Sequence, residues 1–179
     1  MKLNLAAIFL DLGDTIMDES TEIKDTEGTT QSAELFPGMA DALRQLKTEG
    51  YRLALVADSR PNTPPNVLKQ HGLLDLFEYL AISEVVGSSK PDGQIFLAAL
   101  NHLNIPENDY PRVMMVGNNL EREAPVRWQR YVIVFQGNDN IVLLDIVQIQ
   151  RRIPGVNIGR VKYEKLRLAL HTGRSSGRG

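Results

Sequence analysis

Short apolar runs alternate along this chain with segments whose apolar residues recur at helical spacing. The runs Leu5 to Leu10, Leu53 to Ala57, Tyr79 to Ile82, Val113 to Val116 and Val132 to Phe135 read as buried strands. Between them, Met39 to Lys47 places Ala40, Leu43 and Leu46 on one face, with Pro37 and Gly50 as boundaries. Residues 92 to 103 repeat the pattern with Ile95, Phe96, Ala99, Leu100 and Leu103 after Pro91, and a shorter helix fits near Pro65 to His71. This alternation predicts an α/β fold: a mainly parallel sheet covered by helices on both faces. Ligands in such sheets sit at the carboxyl ends of the strands, so chemistry is expected just after Leu10, Ala57 and Val116.

Two regions break the alternation. Residues 16 to 36 carry six acidic side chains and one basic, and Thr21, Ile23 and Asp25 alternate toward a turn at Glu27 and Gly28. This predicts a solvent-exposed β-hairpin flap. The second irregular region begins near Glu123, where Pro125 interrupts a helical stretch.

Composition narrows the class. At 179 residues and 42% apolar, the chain can bury one core and is short for two. Charge is lopsided: residues 1 to 150 hold 12 Lys/Arg against 21 Asp/Glu, residues 151 to 179 hold 8 against 1. We therefore expect one domain over 1–150, with the flap at 16–36, and a basic tail over 151–179. A solvated, partly disordered tail is favoured over a nucleic-acid or anionic-surface site, because it has one aromatic and no nucleic-acid motif. The absence of cysteine excludes disulfides and thiolate metal sites and points to a reducing cytoplasm. Leu3 to Leu10 resembles a signal core in hydropathy, but acidic residues follow it without a cleavage pattern, and no stretch is long enough to span a bilayer.

The polar residues cluster where the strands end. IFLDLGDT, residues 8–15, delivers Asp11 to the tip of a strand, where a carboxylate can attack phosphorus or carbon and form a covalent intermediate. Taken alone, Asp11 and Asp14 could equally make side-chain turns after a strand. LALVADSR ends the second strand with Asp58 and Ser59. In GSSKPDGQIF, residues 87–96, Lys90 precedes a proline that opens a helix and could pair with the nucleophile and an anionic substrate. VMMVGNNLERE, residues 113–123, ends a strand in Gly117, Asn118 and Asn119.

Taken in order, FLDLGDT, LALVADSR, SSKPDGQIF and VMMVGNN resemble the four motifs of the haloacid dehalogenase-like hydrolase superfamily, over residues 5 to about 123. The resemblance implies a Rossmann-like, three-layer α/β/α sandwich and hydrolysis through an aspartyl intermediate, most often of phosphoesters. It implies Asp11 as nucleophile and Lys90 as the charge stabilising it. Ser59, Asp58 and Asn119 become substrate-binding candidates, and Mg²⁺ would be held by Asp11, the Gly13 carbonyl and Asn118.

Departures from the family pattern sharpen these expectations. Family phosphatases place a general acid two residues after the nucleophile, where this chain has Gly13, so assisted departure of alkoxides is expected to be lost. Ala57 stands where the second motif carries a hydroxyl, and Asn118 where the fourth carries Asp, with Glu123 the nearest later carboxylate. These departures keep two alternatives open: a metal-independent dehalogenase-like reaction and a catalytically silent binding or scaffold protein. Counting residues between motifs leaves room for the 16–36 flap and no large cap. An open site suits a large phosphorylated or otherwise activated substrate, or closure by a second subunit, while the acidic flap disfavours free nucleic acid. His71, His102 and His171 show no ligand spacing and receive no catalytic role.

Overall fold

The computed structural model describes residues 4–119, Arg122 and the backbone of three later strands. Strands β1 (Ala7–Leu10), β4 (Leu53–Ala57), β5 (Phe77–Ile82) and β6 (Val113–Gly117) belong to a seven-stranded sheet, of order β5-β4-β1-β6-β7-β8-β9. The later strands are β7 (Tyr131–Phe135), β8 (Asn140–Asp145) and β9 (Val161–Lys162). From β5 to β7 neighbours run parallel, whereas β8 and β9 are added antiparallel. The first four strands are near-continuous apolar runs because both faces of the sheet are covered. Side chains alternate between faces, so each run supplies two cores.

Ile8, Leu10, Leu53, Leu55, Ala57, Met114 and Val116 face one side. There they meet Met39 and Leu43 of helix α1 (Met39–Thr48) and Val67 and Leu68 of α2 (Thr63–Gln70). Ala7, Phe9, Ala54, Val56, Val113 and Met115 face the other, against Ile95, Phe96, Ala99 and Leu100 of α4 (Gly93–His102). A short helix α3 (Ser83–Val86) precedes α4, whose first turn is capped by the Asp92 carboxylate accepting the Gln94 N–H at 2.9 Å. The predicted three-layer sandwich with a mainly parallel sheet is thus the observed architecture. The strand Phe77–Ile82 begins two residues earlier than the apolar pattern suggests, because its first residues sit at the half-exposed mouth of the sheet.

The chain crosses from one side of β1 to the other in reaching β4 and β6. The carboxyl end of β1 is therefore the switch point of the sheet, where a crevice opens between flanking connections.

Between β1 and α1 lies the flap, in which β2 (Ile23–Lys24) and β3 (Thr30–Ser32) pair antiparallel with a register shift after Ile23. Its exposed face explains the charged composition, and its other edge is fastened to α2. Thr30 N–H donates to Thr63 Oγ1 at 3.1 Å, Asn66 Nδ2 donates to Thr30 O at 3.0 Å, and Ala33 N–H donates to Gln70 Oε1 at 3.1 Å. His71 Nε2 lies 2.8 Å from Ala33 O. His71 is thus a structural tie, and His102 stacks on Tyr79 with ring centroids 4.1 Å apart. Among the described residues no helix is long and apolar enough to cross a membrane. Glu123, Pro125, Trp128, His171 and most of the 151–179 tail lie outside the described residues; β8 and β9 correspond to no element predicted from the pattern.

Candidate active site

Strand β1 ends at Leu10, and the chain turns so that Asp11 stands at its tip with little exposed surface. Its N–H donates to Val116 O at 2.8 Å, extending the β1–β6 ladder by one residue and fixing the carboxyl over the switch point. Asp11 Oδ1 accepts the Leu12 N–H at 2.8 Å, and Oδ2 lies 2.9 Å from Lys90 Nζ. The Lys90 side chain has no exposed surface and that of Asp11 is only 10% exposed. An ammonium this deep is retained only with a hydrogen-bonded counter-charge, so the two residues hold one another in place.

Asp58, just past β4, completes the arrangement. Its Oδ1 accepts the Lys90 N–H at 2.8 Å and its Oδ2 is paired with Arg122. Asp58, a substrate-contact candidate from the sequence, lines the cleft and also ties the Lys90 loop to the end of β4. The peptide bond between Lys90 and Pro91 is cis. Ser59 Oγ donates to Arg60 O at 3.0 Å, and its N–H donates to Ser83 Oγ at 3.0 Å. Ala57 stands at the last position of β4, as the register of the sequence suggested.

These strand ends form the floor of a cleft of about 430 Å³, lined by Asp11, Gly13, Ala57, Asp58, Ser59, Asn118 and Arg122. Lys90 lies beneath this lining, and Asn119 is not part of it. The flap supplies the other wall with Glu19, Glu22, Lys24 and Thr30. No large cap stands over the cleft among the described residues.

The flap residues were not singled out in the sequence. Glu22 is committed to its own neighbours: Oε1 accepts Thr30 Oγ1–H at 2.6 Å and Oε2 lies 2.7 Å from Lys24 Nζ. Glu19 differs. Its N–H donates to Asp14 Oδ1 at 3.2 Å, while its carboxyl reaches back over Gly13. A Cβ placed on Gly13 would overlap Glu19 Oε1 outright and lie 2.7 Å from its Cδ, so glycine is the residue that leaves room for this carboxyl. Partial burial, with the nearby charges of Asp14, Glu22 and Asp11, raises the Glu19 pKa above its ordinary value, and Lys24 opposes the shift. The signal that could have found Glu19 is the pairing of a glycine two residues after Asp11 with an acidic cluster at 18–22.

The sequence profile of haloacid dehalogenase-like hydrolases matches residues 5–126. A phosphoglycolate phosphatase from Nitrosococcus oceani is 27% identical over 109 residues, which is 60% of this chain and 47% of that protein. A glyceraldehyde 3-phosphate phosphatase from Pyrococcus abyssi is 33% identical over 84 residues, 47% of this chain and 34% of that protein. The chain thus spans about half or less of the length of these curated relatives. A solved HAD phosphatase from Thermococcus onnurineus shares the fold with a TM-score of 0.66 at 17% identity, covering 95% of this chain and 98% of that one. With the profile spanning all four strand-end motifs and the sheet built as they require, the chain belongs to the haloacid dehalogenase-like hydrolase family.

Proposed function

We propose that the protein hydrolyses phosphoesters through an aspartyl-phosphate on Asp11. The observation that carries this reading is the buried Asp11–Lys90 pair at the carboxyl end of the central strand, open to a polar cleft. Hydrogen bonds from Leu12 N–H and Lys90 keep the Asp11 carboxylate in one orientation, so little reorganisation is needed when it attacks phosphorus. As charge shifts from Asp11 onto the transferring group, the Lys90 ammonium stabilises it in a site largely withdrawn from water. Ser59 and Asp58, which line the cleft, and Asn119, next in sequence to the lining residue Asn118, are the candidates for substrate contacts, and Asp58 also keeps the Lys90 loop in register.

Mg²⁺ is the cation we assign to this site. Asp11, the Gly13 carbonyl and Asn118 line one cleft and offer three oxygen ligands, which fits a cation that completes its shell with phosphate oxygens and water. Among the described residues no three His, Cys, Asp or Glu side chains cluster to hold a metal, so the proposed set rests on one carboxylate with a carbonyl and an amide oxygen. When bound, the cation neutralises charge on the phosphoryl group. The open cleft admits phosphate on a large carrier. Cytoplasmic residence is the compartment that the cysteine-free sequence favours.

The test is a panel of phosphoesters and haloacids assayed with Mg²⁺ and with chelator. Phosphate release that needs Mg²⁺ and is abolished in Asp11→Asn, with thermal unfolding unchanged, is expected. Halide release without metal would support the dehalogenase-like alternative, and unchanged turnover in Asp11→Asn would remove the covalent mechanism.

A further inference from the structure

We propose that Glu19, carried by the flap, is the proton donor and acceptor of this site; the proposal rests on the phosphoester reading above. Three observations place it there. Its carboxyl occupies the space over Gly13, two residues from the nucleophile, and lines the same cleft as Asp11. It is held by the fold, because the turn Asp18–Glu22 is closed by Asp18 Oδ1 accepting Ser20 N–H at 2.9 Å, and the Glu19 N–H donates to Asp14 Oδ1. Of the other acidic groups near it, Glu22 is engaged by Thr30 and Lys24, Asp58 by Lys90 N–H and Arg122, and Asp14 by the Glu19 N–H. The Glu19 carboxyl makes no hydrogen bond or ion pair with any described residue, so its oxygens are available to a ligand.

The chemistry follows from balance. In the first step an Asp11 oxygen bonds to phosphorus and the bond from phosphorus to the ester oxygen breaks. The departing oxygen takes the proton of the Glu19 carboxylic acid, leaving free alcohol, an aspartyl-phosphate and a Glu19 carboxylate. In the second step water bonds to phosphorus while Glu19 takes its proton. The Asp11–phosphorus bond breaks, giving inorganic phosphate and restoring both carboxyl groups. A positioned acid is worth about 10²–10⁴-fold for a poor leaving group and little for a good one. The expected loss of acid catalysis at Gly13 is thereby offset from six residues further along the chain.

Glu19→Gln, Gly13→Ala and the wild type are compared on an alkyl and an aryl phosphate with Mg²⁺, following alcohol release in a single turnover and phosphoryl attachment by intact mass. In Glu19→Gln, alkyl release is expected to fall about 10²–10⁴-fold. Aryl phosphate should still give a rapid burst of one equivalent and then stall with the phosphoryl group on the protein. Gly13→Ala, which pushes the Glu19 carboxyl away, should behave likewise. Combining Gly13→Asp with Glu19→Ala should restore alkyl turnover, because a carboxyl again enters the same space. Equal loss on both esters, or unchanged alkyl release in Glu19→Gln, overturns the proposal while leaving an Asp11-dependent phosphatase standing. No phosphoryl transfer by the wild type from either ester overturns the phosphoester reading and this proposal together.

Discussion

Each end of the parallel sheet carries an ion pair, and the two differ in what they cost. At the amino end, Arg52 precedes β4 and contacts Glu78 of β5 at 2.6 Å, with Lys47 of α1 at 3.4 Å from the same carboxylate. These side chains are between 33% and 41% exposed, where such pairs contribute at most about 1 kcal/mol. At the carboxyl end, Lys90 and Asp11 are withdrawn from water, and the desolvation of both charges offsets much of their attraction. The cheap cluster sits where the protein needs only stability. The costly pair sits at the switch point, where a ligand would use it, and that contrast is the physical argument for reading it as a site.

The sharpest way to break the comparison is to remove one charge at each end. Lys90→Ala should leave a buried carboxylate without its partner, destabilising the fold by about 3–5 kcal/mol in a urea titration. It should also lower phosphate release by about 10² or more. A loss below about 1 kcal/mol would place Lys90 in the same class as the exposed pairs. A smaller effect is expected from Asn118→Asp, which adds a charged oxygen to the proposed cation site. Mg²⁺ affinity measured by calorimetry should rise on the order of tenfold, and an unchanged affinity would move the cation elsewhere.

The smallest effect belongs to the amino end. The Arg52 hydrogen bond, opposed by partial burial and helped by Lys47, holds Glu78 below its ordinary carboxylate value. Its contribution is therefore present above pH 4.5, the unperturbed value, and is lost as pH falls through the depressed native one. Glu78→Gln should lower stability by roughly 0.5 kcal/mol at neutral pH, after allowance for solvent screening. The difference from wild type should vanish in acid, and a difference that grows on acidification would contradict this origin.

Much of the floor of the cleft was legible in the sequence because strand ends announce themselves. An apolar run that stops at Asp11, Asp58 or Asn118 brings the polar residue to the sheet edge whatever the loops do. The roof was not legible. Glu19 reaches Gly13 through the path of the flap, which depends on hydrogen bonds from Thr63, Asn66 and Gln70, residues more than thirty positions away for their flap partners. Asp58 shows the same limit: pattern locates a carboxylate at a strand end but not which neighbours meet its oxygens, here Lys90 N–H and Arg122. The antiparallel β9 was missed because Val161–Lys162 is too short to show a period, whereas β8 is a six-residue run that was passed over beyond the irregular stretch near Glu123.

The fastening of the flap to α2 also sets the traffic through the cleft. Contacts spread over Thr30, Ala33, Thr63, Asn66, Gln70 and His71 must break together before the flap lifts, so its release belongs with local unfolding rather than with fast loop motion. Among the described residues, ligands would then exchange through a standing mouth rather than beneath a closing flap. The aspartyl-phosphate proposed on Asp11 would be reached by water through the same mouth that admits the ester. Under the proposed mechanism, that access favours hydrolysis of the intermediate over transfer to a second alcohol.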